Sequence, residues 1–321
     1  MTRLIEKITR TKSKPSTKSI RRNTMIQTKK ITDFVGNTPL VEISNLFQKE
    51  GVRILVKLEG NNPGGSVKDR AAYHMIAEAI KRKNIRKGDT LVEATSGNTG
   101  IALALMAKVL EVNMVIVMPE NSTEERVKTM RSYGAEVILT PADAGIEGSR
   151  DVAVELKYKK GYFMLNQFEN NDNWKAHYKT TGPEIWKDTQ GEVTHFVSAM
   201  GTTGTIMGVS SYLKEQDASV TIVGTQPTDG SRIPGIRRWS PEYVPKIFDR
   251  KKVDQIIDVN EEQARTMTKR LAFEEGIFAG MSSGGALHSA IEVAKSIDEG
   301  VIVCIVCDRG DRYLSSDLFE D

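Results

Sequence analysis

At 321 residues, 39% of them hydrophobic and 27% charged, the chain is long enough to bury a sizeable core, and two lobes are expected. Its net charge of +3 is unevenly placed: residues 1–30 hold ten Lys or Arg against one acid, Glu6, so that segment carries +9 and the remainder −6. A mildly acidic body argues against a nucleic-acid groove, and the longest apolar stretch, "IALALMAKVL" (101–110), contains Lys108 and is too short to span a bilayer.

The basic tail, residues 1–27, is rich in Ser and Thr and reads as a disordered extension. It lacks the apolar run of a secretory signal. A bland leader is preferred to an organelle transit peptide, and Met25 offers an alternative start.

Beyond the tail the chain alternates. "RILVKLE" (53–59) is expected to be a strand, followed by a helix from about Ser66 to Lys83. "DTLVEA" (89–94) reads as a strand and "NTGIALALMAKVL" (98–110) as a helix. "NMVIVMP" (113–119) and "STEERVKTMRSYG" (122–134) repeat the unit, with a helix cap at Ser122 or Thr123 and Glu125 as its capping-box partner. "AEVILT" (135–140) precedes a helix near 145–160, and "THFVSAM" (194–200) precedes one after 203. A strand "VTIVGTQP" (220–227), helices near 260–275 and 284–297, and a last strand "VIVCIVC" (301–307) complete the pattern. Short apolar strands alternating with helices of ten to fifteen residues define an α/β protein with mostly parallel sheets. In such sheets ligands bind beyond the carboxyl ends of strands.

Cys304 and Cys307 form a CxxC inside that last strand. Residues three apart on a strand point to opposite faces, so no disulfide is expected and both read as buried, apolar thiols. Two cysteines in a chain of this length fit a reducing compartment, and a cytoplasmic protein is expected. His74, His177, His195 and His288 are scattered without metal-ligand spacing, and no metal is assigned.

Four strand-to-helix junctions carry unusual loops. In "NNPGGSVKDR" (61–70) a tight Pro63-Gly64-Gly65 turn leads to Ser66, a candidate N-cap, and to Lys68 in the first helical turn. A cation gains nothing at the positive end of a helix dipole, whereas an amine that must act as nucleophile and base does. Taken alone, a solvated lysine paired with Asp69 is the simpler account. In "EATSGNTG" (93–100), Thr95, Ser96, Gly97, Asn98 and Thr99 crowd hydroxyls, an amide and free N–H groups at a helix start, a cradle for a carboxylate or phosphate. Helix capping explains one of these residues but not five in succession. "MGTTGTIMG" (200–208) is neither a Walker A loop nor a GxGxxG fingerprint; its Gly and Thr residues suit a cup for one phosphate. In "AGMSSGGALH" (279–288), Ser282 or Ser283 could face a heteroaromatic nitrogen, and an N-cap serine ahead of small packing residues explains the loop equally well. An amine, an oxyanion cradle, a single-phosphate cup and a neutral hydroxyl together match pyridoxal 5′-phosphate, which carries an aldehyde, one phosphate and a ring nitrogen.

"GNTPLV" (36–41), "KLEGNNPGGSVKDRAA" (57–72), "EATSGNTGIALA" (93–104), "TTGPEIW" (180–186) and "MGTTGT" (200–205) closely resemble the pyridoxal-phosphate enzymes of the cysteine synthase family, from about residue 31 to the C-terminus. The resemblance implies the tryptophan-synthase-β-like fold type II, two open twisted α/β lobes with the cofactor in the cleft between them. It assigns residues 28–39 and 62–172 to a smaller mobile lobe, and 40–61 and 173–321 to a larger one. Lys68 matches the family's Schiff-base lysine, Asn98 the partner of the ring hydroxyl, Gly201, Thr202, Thr203, Gly204 and Thr205 the phosphate cup, and Ser282 the serine facing the ring nitrogen. Thr95, Ser96 and Thr99 in the 95–99 loop, with Gln167, match the substrate-carboxylate site, to which Gly97 is added. "PGIRRW" (234–239) and "CDRGDRYLS" (307–315) resemble the B-type subgroup. Arg237 and Arg238 are expected to help admit a larger anion such as thiosulfate, unless both pair with acids such as Glu242.

The implied reaction is β-replacement: O-acetyl-L-serine loses acetate to give an α-aminoacrylate, and sulfide or thiosulfate adds to give L-cysteine or S-sulfocysteine. Lys68 would remove and return the α-proton. Alternatives on the same scaffold are an O-phosphoserine sulfhydrylase, a serine/threonine dehydratase and a cystathionine β-synthase. A non-catalytic relative that partners serine acetyltransferase is disfavoured by the intact Lys68. The family implies a homodimer.

Overall fold

The computed structural model describes residues 28–320. The expectations for residues 1–27, including a start at Met25, lie outside them.

The alternating segments fold as β1 (Leu40–Ile43), β2 (Val52–Leu58), α1 (Lys68–Lys81), β3 (Thr90–Ala94), α2 (Asn98–Val109), β4 (Asn113–Pro119), α3 (Glu124–Ser132), β5 (Glu136–Thr140), α4 (Gly145–Lys160), β6 (Phe163–Met164), α5 (Asn171–Lys179), α6 (Thr181–Asp188), β7 (Val193–Ala199), α7 (Gly204–Gln216), β8 (Thr221–Pro227), β9 (Gln255–Val259), α8 (Glu261–Glu275), α9 (Met281–Ser296) and β10 (Gly300–Val306). They build a six-stranded sheet in the order β1-β2-β10-β7-β8-β9 and a four-stranded one in the order β5-β4-β3-β6. β1 runs antiparallel to β2; the other named pairings are parallel.

Parallel sheets need helices on both faces, which is why their strands are apolar throughout. On β10, Ile302, Cys304 and Val306 pack with Leu271, Leu287 and Ile291, while Val303 and Ile305 join Phe196, Ile206 and Leu213. Burying each such side chain stabilises the fold by about 1.5–3 kcal/mol. The smaller sheet is covered on one face by α1 and α2, through Met75, Ile76, Leu103 and Met106, and on the other by α4 through Ala153.

The strand orders fix where a ligand can bind. From β3 the chain steps outward to β4 and β5, then returns to place β6 on the other side of β3; from β7 it steps to β8 and β9, then returns to place β10 beside β7. Each reversal opens a crevice beyond the strand ends. The flanking loops are 95–97 and 165–170 at one switch point, and 200–203 with the segment after Val306 at the other.

Several local expectations are corrected. α1 begins at Lys68 with Val67 as its N-cap; Ser66 only accepts a 3.3 Å bond from the Lys68 N–H through Oγ. α3 has Thr123 as N-cap without a side-chain cap, its hydroxyl being buried without a partner, and Ser122 Oγ donates to the Pro119 carbonyl. The third residue of that helix is Arg126, so Glu125 forms no capping box. α9 starts at Met281, which puts Ser282 and Ser283 inside its first turn. The segments β1, β6, β9, α5 and α6 were not expected. The first three are short, β6 having only two residues. In α5 and α6 the polar run "NDNWKAHYKTTGPEIWKD" hides the apolar period, and Pro183 is tolerated because it lies in a first turn.

Candidate active site

Lys68 opens α1 after a turn that uses the left-handed conformation of Gly65, φ 79°. The pairing with Asp69 is not formed. Asp69 is buried and accepts from the Gly64 N–H, and burial pushes its carboxyl up to about 7. Lys68 instead lines a cleft of about 270 Å3 with Thr95–Thr99 and Gln167, and a deeper hollow of about 50 Å3 with Asn98, Gly201–Thr205 and Ser282.

The floor of the hollow is the start of α7. Thr203 holds a left-handed conformation, φ 69°, which is strained for a β-branched residue, and its Oγ1 is buried with no partner. The N-cap residue Thr203 does not cap α7; the Gly204 N–H donates to Thr202 Oγ1 at a long 3.4 Å, and the Thr205 and Ile206 N–H groups that follow are open to an anion. A Cβ on Gly204 would lie 2.1 Å from Asn173 Oδ1; only glycine lets the backbone approach there. Thr205 Oγ1 lies 3.3 Å from His177 Nε2, and His177 Nδ1 lies 2.9 Å from Thr181 Oγ1. Burial, then the charges of Arg70 and Lys68, keep His177 neutral well below its usual range. An orphaned hydroxyl, open N–H groups and strained backbone around one small hollow fit a phosphate.

The two serines of α9 separate. Ser283 Oγ accepts from the Cys307 N–H at 2.9 Å, whereas Ser282 faces the hollow under Gly235. Cys307 shares that wall, and burial pushes its thiol up to about 11. Cys304 and Cys307 are both free, but only Cys304 is fully buried; β10 ends at Val306, so Cys307 lies just past the strand and not on its opposite face as expected.

Asn98 begins α2. Its Nδ2 donates to Asp308 Oδ2 at 2.6 Å, and its Oδ1 accepts from Arg312. α2 also lacks a side-chain cap, which leaves the Asn98 and Thr99 N–H groups open, while that of Gly100 bonds the Gly97 carbonyl at 3.0 Å. Thr99 Oγ1 donates to Gln167 Oε1 at 2.9 Å. Gln167 in turn is placed by Glu93, whose carboxyl accepts from the N–H groups of Asn166 at 3.0 Å and Gln167 at 3.2 Å. Burial pushes Glu93 up to about 7. Asn173 Nδ2 bonds the Gln167 carbonyl at 2.7 Å and Thr202 Oγ1 at 3.2 Å, tying the carboxylate cradle to the phosphate cup.

Arg237 lines the cleft, but Arg238 does not. It pairs with Asp258 and Asp229 and donates to the Pro227 carbonyl, so acids on the neighbouring loop and strand, rather than Glu242, draw it away. Sequence reasoning missed Arg126 and Arg150, which also line the cleft, and it gave no role to Asp308, Arg312 or Tyr313. The signal for the last three was available: they follow a parallel strand at its carboxyl end.

The model for the family described as pyridoxal-phosphate dependent enzyme matches residues 31–308. Cysteine synthase B of Pseudomonas aeruginosa is 55% identical over 295 residues, spanning 92% of this chain and 99% of that protein. Cysteine synthase B of Escherichia coli is 54% identical over 285 residues, 89% of this chain and 94% of that one. The crystal structure of a cysteine synthase from Entamoeba histolytica matches with a TM-score of 0.86 at 37% identity, covering 98% of this chain and 95% of the other.

Proposed function

The chain belongs to the pyridoxal-phosphate dependent enzyme family, and on that premise we propose how its cleft works. It is a cysteine synthase of the B type with pyridoxal 5′-phosphate as cofactor. The donor is O-acetyl-L-serine, and the acceptor is sulfide or thiosulfate.

Gly201–Thr205 would hold the phosphate, Asn98 the ring hydroxyl and Ser282 the ring nitrogen, and Lys68 Nζ would stand beside the aldehyde as its amine partner. The bound cofactor supplies the electron sink that lets an amino acid lose its α-proton and its β-substituent. Ser282 presents a neutral hydroxyl to the ring nitrogen, which suits elimination. Thr95, Ser96, Gly97, Thr99 and Gln167 hold the substrate carboxylate at the start of α2. That fixes Cα over Lys68, whose Nζ takes the α-proton and returns it after the sulfur has joined Cβ. Arg237, with Arg126 and Arg150 also lining the cleft, gives it a positive field for an anionic sulfur donor. The same three arginines favour O-phosphoserine as a second donor. Residues 62–172, which carry the four-stranded sheet, form the bulk of a smaller lobe that closes over the cleft when the carboxylate binds. The protein acts as a cytoplasmic homodimer; its two free thiols suit that compartment.

One observation carries this reading: Lys68 makes no ion pair among the described residues and opens into the hollow that contains the orphaned Thr203 hydroxyl. The purified protein should be yellow and should form cysteine from O-acetylserine and sulfide, and Lys68→Ala should lose both properties. Pyruvate and ammonia as the main products would point to a dehydratase instead.

A further inference from the structure

The Asn98 amide has lost the freedom to turn over. Its Nδ2 donates to Asp308 Oδ2 at 2.6 Å and its Oδ1 accepts from Arg312. Reversed, it would set oxygen against a carboxyl oxygen and NH2 against a guanidinium, so both partners reject the flipped form. In the surviving orientation one Nδ2–H is taken by Asp308 and one is left over. Asp308 is itself immobile: it is 1% exposed, Oδ1 accepts from the Gly280 N–H at 3.2 Å, and Oδ2 also accepts from Tyr313 OH at 2.6 Å. A Cβ on Gly280 would lie 2.6 Å from Asp308 Oδ1, so glycine is needed for that carboxyl to enter. Arg312 reaches further and donates to the Gly64 carbonyl, on the turn before Lys68.

We propose that Asp308 and Arg312 are positioning residues that lock the Asn98 amide with one N–H aimed at the cofactor ring hydroxyl, and that Arg312 couples this lock to the Lys68 turn. This assignment rests on Asn98 meeting the cofactor, as proposed above. A donor fixed in advance needs no reorganisation to stabilise a negatively charged ring oxygen.

The test uses the full chain reconstituted with pyridoxal 5′-phosphate. It reads the cofactor's dissociation constant by fluorescence titration and the pH dependence of its visible absorption. Asp308→Ala should weaken retention roughly 10- to 100-fold, the size expected for a hydrogen bond to a charged group, and should shift the absorption titration. Asp308→Asn should recover part of the loss, because its amide oxygen can still accept from Asn98 and Tyr313 although its NH2 then faces the Gly280 N–H. In an Asn98→Ala background, Asp308→Ala should add almost nothing. Additive losses in the double variant would mean that Asp308 acts through the fold and would overturn the proposal, as would an unchanged Asp308→Ala beside an altered Asn98→Ala. If Asn98→Ala itself changes neither readout, its contact with the cofactor is wrong and the proposal falls with it. Should Asp308→Ala not fold, Arg312→Met with Asn98→Ala gives a second cycle, in which the losses should be less than additive but not vanish, because Arg312 also holds the Gly64 carbonyl; full additivity would overturn the proposal.

Discussion

Replacing Arg70 by Met should lower stability by about 3–5 kcal/mol, the usual consequence of removing one partner of a buried ion pair. The Arg70 guanidinium donates to both Glu59 oxygens at 2.7 Å, to Glu184 at 2.6 and 2.8 Å, and to Thr38 Oγ1 at 3.1 Å. The Arg70 side chain is 1% exposed and that of Glu59 0%. Glu59 would keep Thr38 and Asn62 as donors at 2.7 and 2.9 Å but would lose the one cation bonded to it among the described residues. Glu184 gives a second figure. Burial alone would raise its carboxyl, yet hydrogen bonding and charge from Arg70 hold it down from 4.5 to about 2, which corresponds to about 3 kcal/mol. Because that carboxyl is depressed, its contribution is present above pH 4.5 and disappears as the pH falls towards 2. Urea unfolding at pH 7 and at acid pH measures both effects. The variant should show a lower midpoint at pH 7 and a weaker loss of stability in acid, and Glu59→Gln added to Arg70→Met should recover part of the deficit. A loss under about 1 kcal/mol, or an unaltered acid limb, would refute the reasoning. Arg70 lies two residues after Lys68, so cofactor retention should fall with it.

Glu93 behaves in the opposite sense. Burial raises its carboxyl from 4.5 to about 7, so its stabilising contribution is complete below pH 4.5 and is lost as the pH rises to about 7, by about 3 kcal/mol at most; Glu93→Gln should flatten that part of a melting-temperature profile, and an unchanged slope counts against it. Cys307, pushed up to about 11 by burial, should react only slowly with a thiol reagent at pH 8 in the native protein. Denatured without reductant, the chain should release both of its two cysteines as thiols; rapid native labelling, or one thiol or none, contradicts this. Arg237→Ala should lower kcat/KM for thiosulfate roughly 10- to 100-fold with a smaller effect on sulfide, while Arg238→Ala, already paired with Asp258, should leave their ratio unchanged. Equal losses with both sulfur donors would remove Arg237 from acceptor selection.

The alternation of short apolar strands with helices was enough to specify parallel α/β architecture, because burial on both faces writes itself into composition. The Gly- and Thr-rich loops at 95–99 and 200–205 were equally legible, since few other residue types leave helix N–H groups open at a strand end. Lys68 could be read as an amine held at an unfavourable helix end, but its pairing with Asp69 stayed open until burial of Asp69 removed the partner. Ser282 and Ser283 were indistinguishable as letters; the register of α9 against Cys307 separated them. Arg237 and Arg238 looked alike for the same reason, and the position of Asp258 on β9, an edge strand the pattern did not reveal, drew only one of them away. Gln167 was legible by resemblance, whereas its anchoring by Glu93 spans 74 residues of sequence. Local chemistry is set by neighbours along the chain, but the partner that fixes a side chain's direction comes from wherever the sheet order brings it. That is why the lock on Asn98, made by residues 210 and 214 positions away, belongs to the tertiary structure alone.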